Sequence, residues 1–248
     1  MNKIVYILLF IITTSCGISE DCLSGNGSKV MVNYPLEGFT KVKVYSGVGL
    51  VVKEGPSYDV RIETRDNIKD NIEVSLNGDM LIVKDNSTCN IARDYGLTIV
   101  YVTVPNLIEI QSKTDQNITS DGVLHFPELR LYSMGDDGDG AGTGNFNLNL
   151  DSNFVYIESN TVTNYNLSGE TNDMNVFFAW GDGRFYGENF RVKNLLSLYH
   201  RGSNDMILFP LNNIDGTIYS SGNVILKNEP TGTINIQELY SGRLILDY

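Results

Sequence analysis

The sequence predicts an all-β protein, a parallel β-helix or β-solenoid that follows an N-terminal β region. Three observations predict it. The 248 residues include 24 Gly and 14 Tyr, while Ala, Glu and Lys nowhere form helix-favouring runs; that mixture suits short strands and tight turns. Apolar and polar residues alternate along much of the chain after Phe39, the period of a strand and not of a helix. From about residue 106 an alternating strand ending in a small or polar corner recurs at a near-constant interval, the signature of stacked repeats.

Charge narrows the range of partners. Lys and Arg total 18 against 30 Asp and Glu, a net charge of −12. Such a surface repels phosphate backbones and argues against nucleic acid. It repels an anionic bilayer equally. The length suffices for a real core in one or two domains.

Residues 1–15 read as an export signal. Lys3 is positive, Ile4 to Ile12 are continuously apolar, and Thr13-Thr14-Ser15-Cys16 follows. Nine apolar residues are too few to span a bilayer as a helix. Small residues before a cysteine resemble a bacterial lipobox, with Thr13 where Leu is commonest; the resemblance implies cleavage and lipid attachment at Cys16. Residues 16–34 read as a tether. Within it, Ser19-Glu20-Asp21 resembles an outer-leaflet export signal, and a solvated linker accounts for it nearly as well. The expected location is the outer membrane, at the cell surface or the periplasmic face. Cys22 and Cys89 remain after lipidation, either bonded to each other or both free. Without a CxxC pattern, redox catalysis is not indicated.

Residues 35–105 form the expected N-terminal β region. Val60-Arg61-Ile62-Glu63 and Ile72-Glu73-Val74-Ser75-Leu76 alternate, and Asn77-Gly78 then predicts a hairpin into Met80-Leu81-Ile82-Val83. Residues 106–248 hold the repeats. Their strand triplets end at Ile110, Leu131, Ile157, Phe178, Leu198, Ile218 and Leu239, with steps of 21, 26, 21, 20, 20 and 21 residues. Parallel stacking at about 4.8 Å would bury one row of each strand, leaving ladders of Ser, Asn and Thr outside. An antiparallel sandwich also spaces its strands evenly, but it has no reason to repeat a corner.

The elements Phe39-x-x-Val42-x-Val44, Tyr45-Ser46-Gly47-Val48-Gly49, Val104-Pro105-Asn106-Leu107 and Tyr219-Ser220-Ser221-Gly222 resemble the GIN domain, an adhesin-head family common in Bacteroidetes-type envelope proteins. The resemblance runs from about Phe39 to about Gly232. It implies a β-helix-like fold and an adhesin-like role, and it supplies no catalytic residues. Several corners, such as Glu158-Ser159-Asn160, lack the expected glycine.

Chemistry-bearing motifs are sparse. There is no nucleophile elbow, P-loop, dinucleotide fingerprint or zinc-protease motif, and no cofactor is expected. The two histidines, His125 and His200, stand 75 positions apart, which disfavours a zinc site. Asp136, Asp137 and Asp139 lie in a Gly-rich loop and are the weak candidate for calcium. Their spacing departs from an EF-hand at Ala141 and Leu148, and a solvated loop tip explains them more simply. His200 and Arg201 on one corner, with Asp182 and Arg184 one repeat earlier, sketch a polysaccharide-active site; outward polar residues that keep the repeat soluble are the simpler account. Tyr132, Trp180, Tyr199, Tyr219 and Tyr240 fall at near-equivalent corners. They form either a strip for a glycan or protein ligand or a ladder that caps the core. The expectation is a non-enzymatic, adhesin-like envelope module with clustered aromatics and no deep polar cleft. A β-helix enzyme and a structural spacer are the alternatives.

Overall fold

The computed structural model describes residues 25–87, 94, 96–135 and 138–248. Among these the protein is all-β apart from a single 3₁₀ turn, Lys69–Asn71. The strands are β1 (Lys29–Tyr34), β2 (Lys41–Tyr45), β3 (Val48–Glu54), β4 (Asp59–Arg65), β5 (Ile72–Asn77), β6 (Met80–Asp85), β7 (Thr98–Val104), β8 (Glu109–Lys113) and β9 (Ile118–Leu124). They continue with β10 (Glu128–Ser133), β11 (Phe146–Ser159), β12 (Tyr165–Phe178), β13 (Phe185–His200), β14 (Met206–Pro210), β15 (Asn213–Ile218), β16 (Val224–Leu226), β17 (Ile234–Glu238) and β18 (Leu244–Leu246).

Two ladders run through one large sheet. In the first, β6, β2, β8, β10, the C-terminal parts of β11, β12 and β13, then β15 and β17 pair in parallel. In the second, β7, β3, β9, the N-terminal parts of β11, β12 and β13, then β14, β16 and β18 do the same. Antiparallel strands finish the N-terminal end. The predicted Asn77-Gly78 hairpin joins β5 to β6, with Gly78 at φ +60°. At the same end β4 lies on β7, and β1 lies on β4. Residues 29–34, assigned to the tether from their polarity, are therefore a paired strand. Alternate Val30, Val32 and Tyr34 are only half-buried in it, a weak pattern for an edge strand.

The long strands β11 to β13 belong to both ladders, and Gly169 sits where β12 passes from one to the other. It has φ +98°, and a β-carbon there would lie 2.1 Å from the Leu150 carbonyl oxygen of the strand beneath. Only glycine fits.

The two inward faces share one core. In the second ladder Leu50, Ile118, Phe146, Tyr165, Phe185, Met206 and Val224 form one stacked column. The Phe146 and Tyr165 rings lie 4.9 Å apart and 8° from parallel. In the first ladder the column is Ile110, Leu131, Ile157, Val176, Leu198, Gly216 and Ile236. The repeat read from the sequence thus ends two positions late at Phe178 and Ile218, and three late at Leu239. A slip of two keeps a residue on the same face, so alternation alone does not detect it. The slip of three does change face, and Leu239 is 53 % exposed.

One inward column is polar in its middle and apolar at its ends, with Phe178 among its polar members. Val44, Ser112, Ser133, Ser159, Phe178, His200 and Ile218 stack in register. Ser133 meets Thr161 at 2.7 Å and Thr163 at 2.8 Å, and all three are buried. These small hydroxyls satisfy one another where the chain turns between ladders.

Candidate binding surfaces

The outer face of the first ladder carries the aromatic residues. Lys43, Gln111, Tyr132, Glu158, Phe177, Tyr199 and Thr217 form one outward column. Glu109, Arg130, Tyr156 and Asn175 form the column beside it. The rings touch in two groups. Phe177 and Tyr199 stack at 4.7 Å and 17°, and Tyr219 extends that stack at 5.2 Å. Tyr132 and Tyr156 lie tilted at 5.7 Å. The Arg130 guanidinium sits 5.7 Å from the Tyr156 ring, and its Nε donates to Glu128 at 2.6 Å. The Tyr156 hydroxyl donates to Glu158 at 2.9 Å. Burial first, and that carboxylate second, raise the Tyr156 pKa well above the ordinary phenol value.

The five corner aromatics do not share one column. Tyr132 and Tyr199 do, with Glu158 and Phe177 between them. Tyr219 lies beyond Thr217, the residue that pairs with Tyr199, yet its ring still reaches the stack. Trp180 and Tyr240 are 47 % and 68 % exposed, and neither makes a ring contact among the described residues. Unequal corner lengths separate residues that look equivalent in sequence. Tyr156 and Phe177 are the members that the corner motif missed. Both occupy the middle, outward position of a predicted triplet, and that was their available signal.

A basic and acidic group lies at the N-terminal end of this face. Asp139 accepts from the Lys43 ammonium and from the Tyr45 hydroxyl. The bond from Lys43 holds its carboxyl below the usual range, with Tyr45 adding to it. The Lys84 ammonium lies 4.3 Å from the Tyr45 ring. Asp139 is therefore committed to a cation and a phenol, while Asp136 and Asp137 lie outside the described residues. Cys16, Cys22 and Cys89 do so too.

The suggested polysaccharide-active cluster does not assemble. His200 points inward and is fully buried, its ring 6.2 Å from that of Phe178. Neither ring nitrogen has a hydrogen-bond partner among the described residues. Burial lowers its pKa to about 4, against a weaker opposing pull from the Asn204 backbone and the Asp205 charge. Arg201 and Arg184 are exposed, and Asp182 accepts a hydrogen bond from Ser203. The sequence placed His200 outward because Tyr199-His200 looked like a corner; the register makes His200 the last inward residue of β13.

Fold and surface together define an all-β protein, largely of parallel strand pairs, that presents rings and ion pairs on a broad outer face. The chain belongs to the family described as "Putative auto-transporter adhesin, head GIN domain", whose model matches residues 38–230. Solved structures of similar fold include a putative adhesin from Bacteroides fragilis, 19 % identical, with a TM-score of 0.76 over 90 % of this chain and all of that one. A putative adhesin from Parabacteroides distasonis is 10 % identical, with a TM-score of 0.63 over 91 % of this chain and 99 % of its own. A third, described as a putative lipid binding protein from the same species, is 12 % identical, with a TM-score of 0.59 over 89 % and 98 % of the two chains. No curated protein sequence matches the chain.

Proposed function

We propose that this protein is a cell-envelope lipoprotein, held to the outer membrane through a lipid on Cys16, that acts as a non-enzymatic, adhesin-like binding module for a glycan or a protein. The outer face of the first ladder carries the reading. It gathers Tyr132, Tyr156, Phe177, Tyr199 and Tyr219 with Arg130 and Glu158, and rings of that kind dominate recognition surfaces. Family membership supports an adhesin-like role and an envelope location. The parallel pairing and inward columns support a β-solenoid, with residues 16–34 leading from the anchor and ending in the paired strand β1, 35–105 as the N-terminal region and 106–248 as the repeats.

A net charge of −12 favours neutral or cationic partners over polyanions. The anchor is tested by metabolic labelling with a fatty-acid probe: Cys16→Ala should abolish the label, and persistent label would remove Cys16 from the reading. The binding role is tested by glycan-array and pull-down screens of the protein and of Tyr199→Ala. Capture that weakens in the variant is expected, and capture insensitive to it would move the site off this face.

A further inference from the structure

The second ladder carries a different outer feature. We infer that it is a binding groove for a neutral saccharide, an inference that rests on the binding-module reading above and names a ligand class and a second site for it. The groove has a volume of about 520 Å³, within the roughly 300–1,000 Å³ common for small-ligand sites.

Its construction follows from the strand register. The floor is the regular pair β11 and β12, where Asn147 faces Asn166 and Asn149 faces Ser168. The strands on both sides are irregular. In β9, Thr119 and Val123 oppose Asn147 and Asn149, so Ser120, Asp121 and Gly122 stand against Leu148 alone. In β13, Tyr186 and Asn189 oppose Asn166 and Ser168, so Gly187 and Glu188 stand against Leu167 alone. Bulges re-aim side chains and recur beside functional sites. Here one lies on each side of a regular floor, and Ser120, Tyr186, Glu188 and Asn189 complete the lining.

The lining groups are hydrogen-bonding groups with little to bond. Asn166 donates to Asn147 at 2.7 Å, which leaves the second halves of both amides available. Among the described residues, the side chains of Asn149, Ser168, Tyr186, Glu188 and Asn189 enter no hydrogen bond or ion pair. Several outward residues nearby are paired instead: Asn164 with Asn145, Asn172 with Asn153, Lys193 with Glu170.

The chemistry fits a sugar. An amide offers donor and acceptor together, matching adjacent hydroxyls of a pyranose. The Tyr186 ring offers an apolar surface for its C–H face. The groove contains one carboxylate and no Lys or Arg, which disfavours uronates, sulfated sugars and phosphates. An extended peptide usually docks by adding to a free strand edge, whereas the floor strands β11 and β12 are paired on both sides at Asn147, Asn149, Asn166 and Ser168.

The test uses the full-length protein on an array of neutral hexose and N-acetylhexosamine oligosaccharides, with titration calorimetry on the strongest hit. Tyr186→Ala and Asn189→Ala are compared with Lys29→Ala on distant β1, and circular dichroism confirms that each variant is folded. Neutral-sugar binding that falls roughly tenfold or more in the groove variants, and survives in Lys29→Ala, is the expected result. Neutral-sugar binding unchanged in Tyr186→Ala and Asn189→Ala would overturn the groove and leave the binding-module reading standing. Preference for anionic glycans would overturn the ligand class. Capture of a protein and no glycan would overturn the saccharide inference alone, and no capture of either would overturn both.

Discussion

The two outer faces are built on the same stacked strands and use polar residues in opposite ways. On the first ladder the outward groups satisfy one another: rings stack on rings, Arg130 bonds Glu128, Tyr156 bonds Glu158 and Asp139 holds Lys43 and Tyr45. On the second, across β11 to β13, the side chains of Asn149, Asn189 and Tyr186 stand between two bulges with no partner among the described residues. Mutually bonded groups add stability and offer a finished surface. Uncommitted groups add little stability and keep their hydrogen-bonding capacity for a ligand. The two faces therefore offer a partner different surfaces, stacked rings on the first and free hydrogen-bonding groups on the second, while both draw their folding energy from the shared core.

The largest effect should therefore come from the core and strike both faces alike. Tyr165→Ala removes a fully buried ring stacked on Phe146 and tilted against Phe178, and it should cost about 3–5 kcal/mol in urea unfolding. A cost below about 1 kcal/mol would mean that the stacked column is not where the stability lies.

Acidification should act next, again through the interior. His200 is folded with a pKa of about 4 against an ordinary 6.5, so the unfolded chain takes up the proton first. Its contribution is complete above about pH 6.5, falls as the pH drops toward 4, and is flat below; the total loss is on the order of 3 kcal/mol. Urea midpoints at pH 7 and pH 4.5 measure it. His200→Phe, which keeps a ring against Phe178, should make the acid loss smaller; an unchanged acid loss would acquit His200.

The faces should then separate. Tyr199→Ala breaks contacts to both Phe177 and Tyr219 and should destabilise by about 1–2 kcal/mol. Asn189→Ala, in the groove, should alter stability by less than about 0.5 kcal/mol while weakening saccharide binding. Thermal melts of the two variants side by side measure the difference. Equal losses of stability would show the groove amides to be structural.

How much was legible beforehand follows from what alternation can carry. The hairpin at Asn77-Gly78, the all-β character and the recurring inward triplets were readable, since each is a local signal. Register was not. Phe178 and Ile218 sat two positions late, because a two-residue shift preserves the face. A different error put His200 outside, since Tyr199-His200 looks like a corner, and unequal corner lengths aligned Trp180 and Tyr240 with rings they do not touch. β1 escaped because a half-buried edge strand alternates only faintly. The groove left no sequence signal at all: it depends on Gly122 and Gly187 falling opposite single residues of the neighbouring strands, which becomes visible only once the strands are paired.

The most direct test of a binding module is a single assay of the full-length protein on arrayed glycans and envelope-protein extracts, with released products measured on every glycan hit. Saturable capture of a neutral glycan or a protein is expected, with no product released over hours. Cleavage of a captured polysaccharide would contradict it, by showing an enzyme where a binding module was inferred.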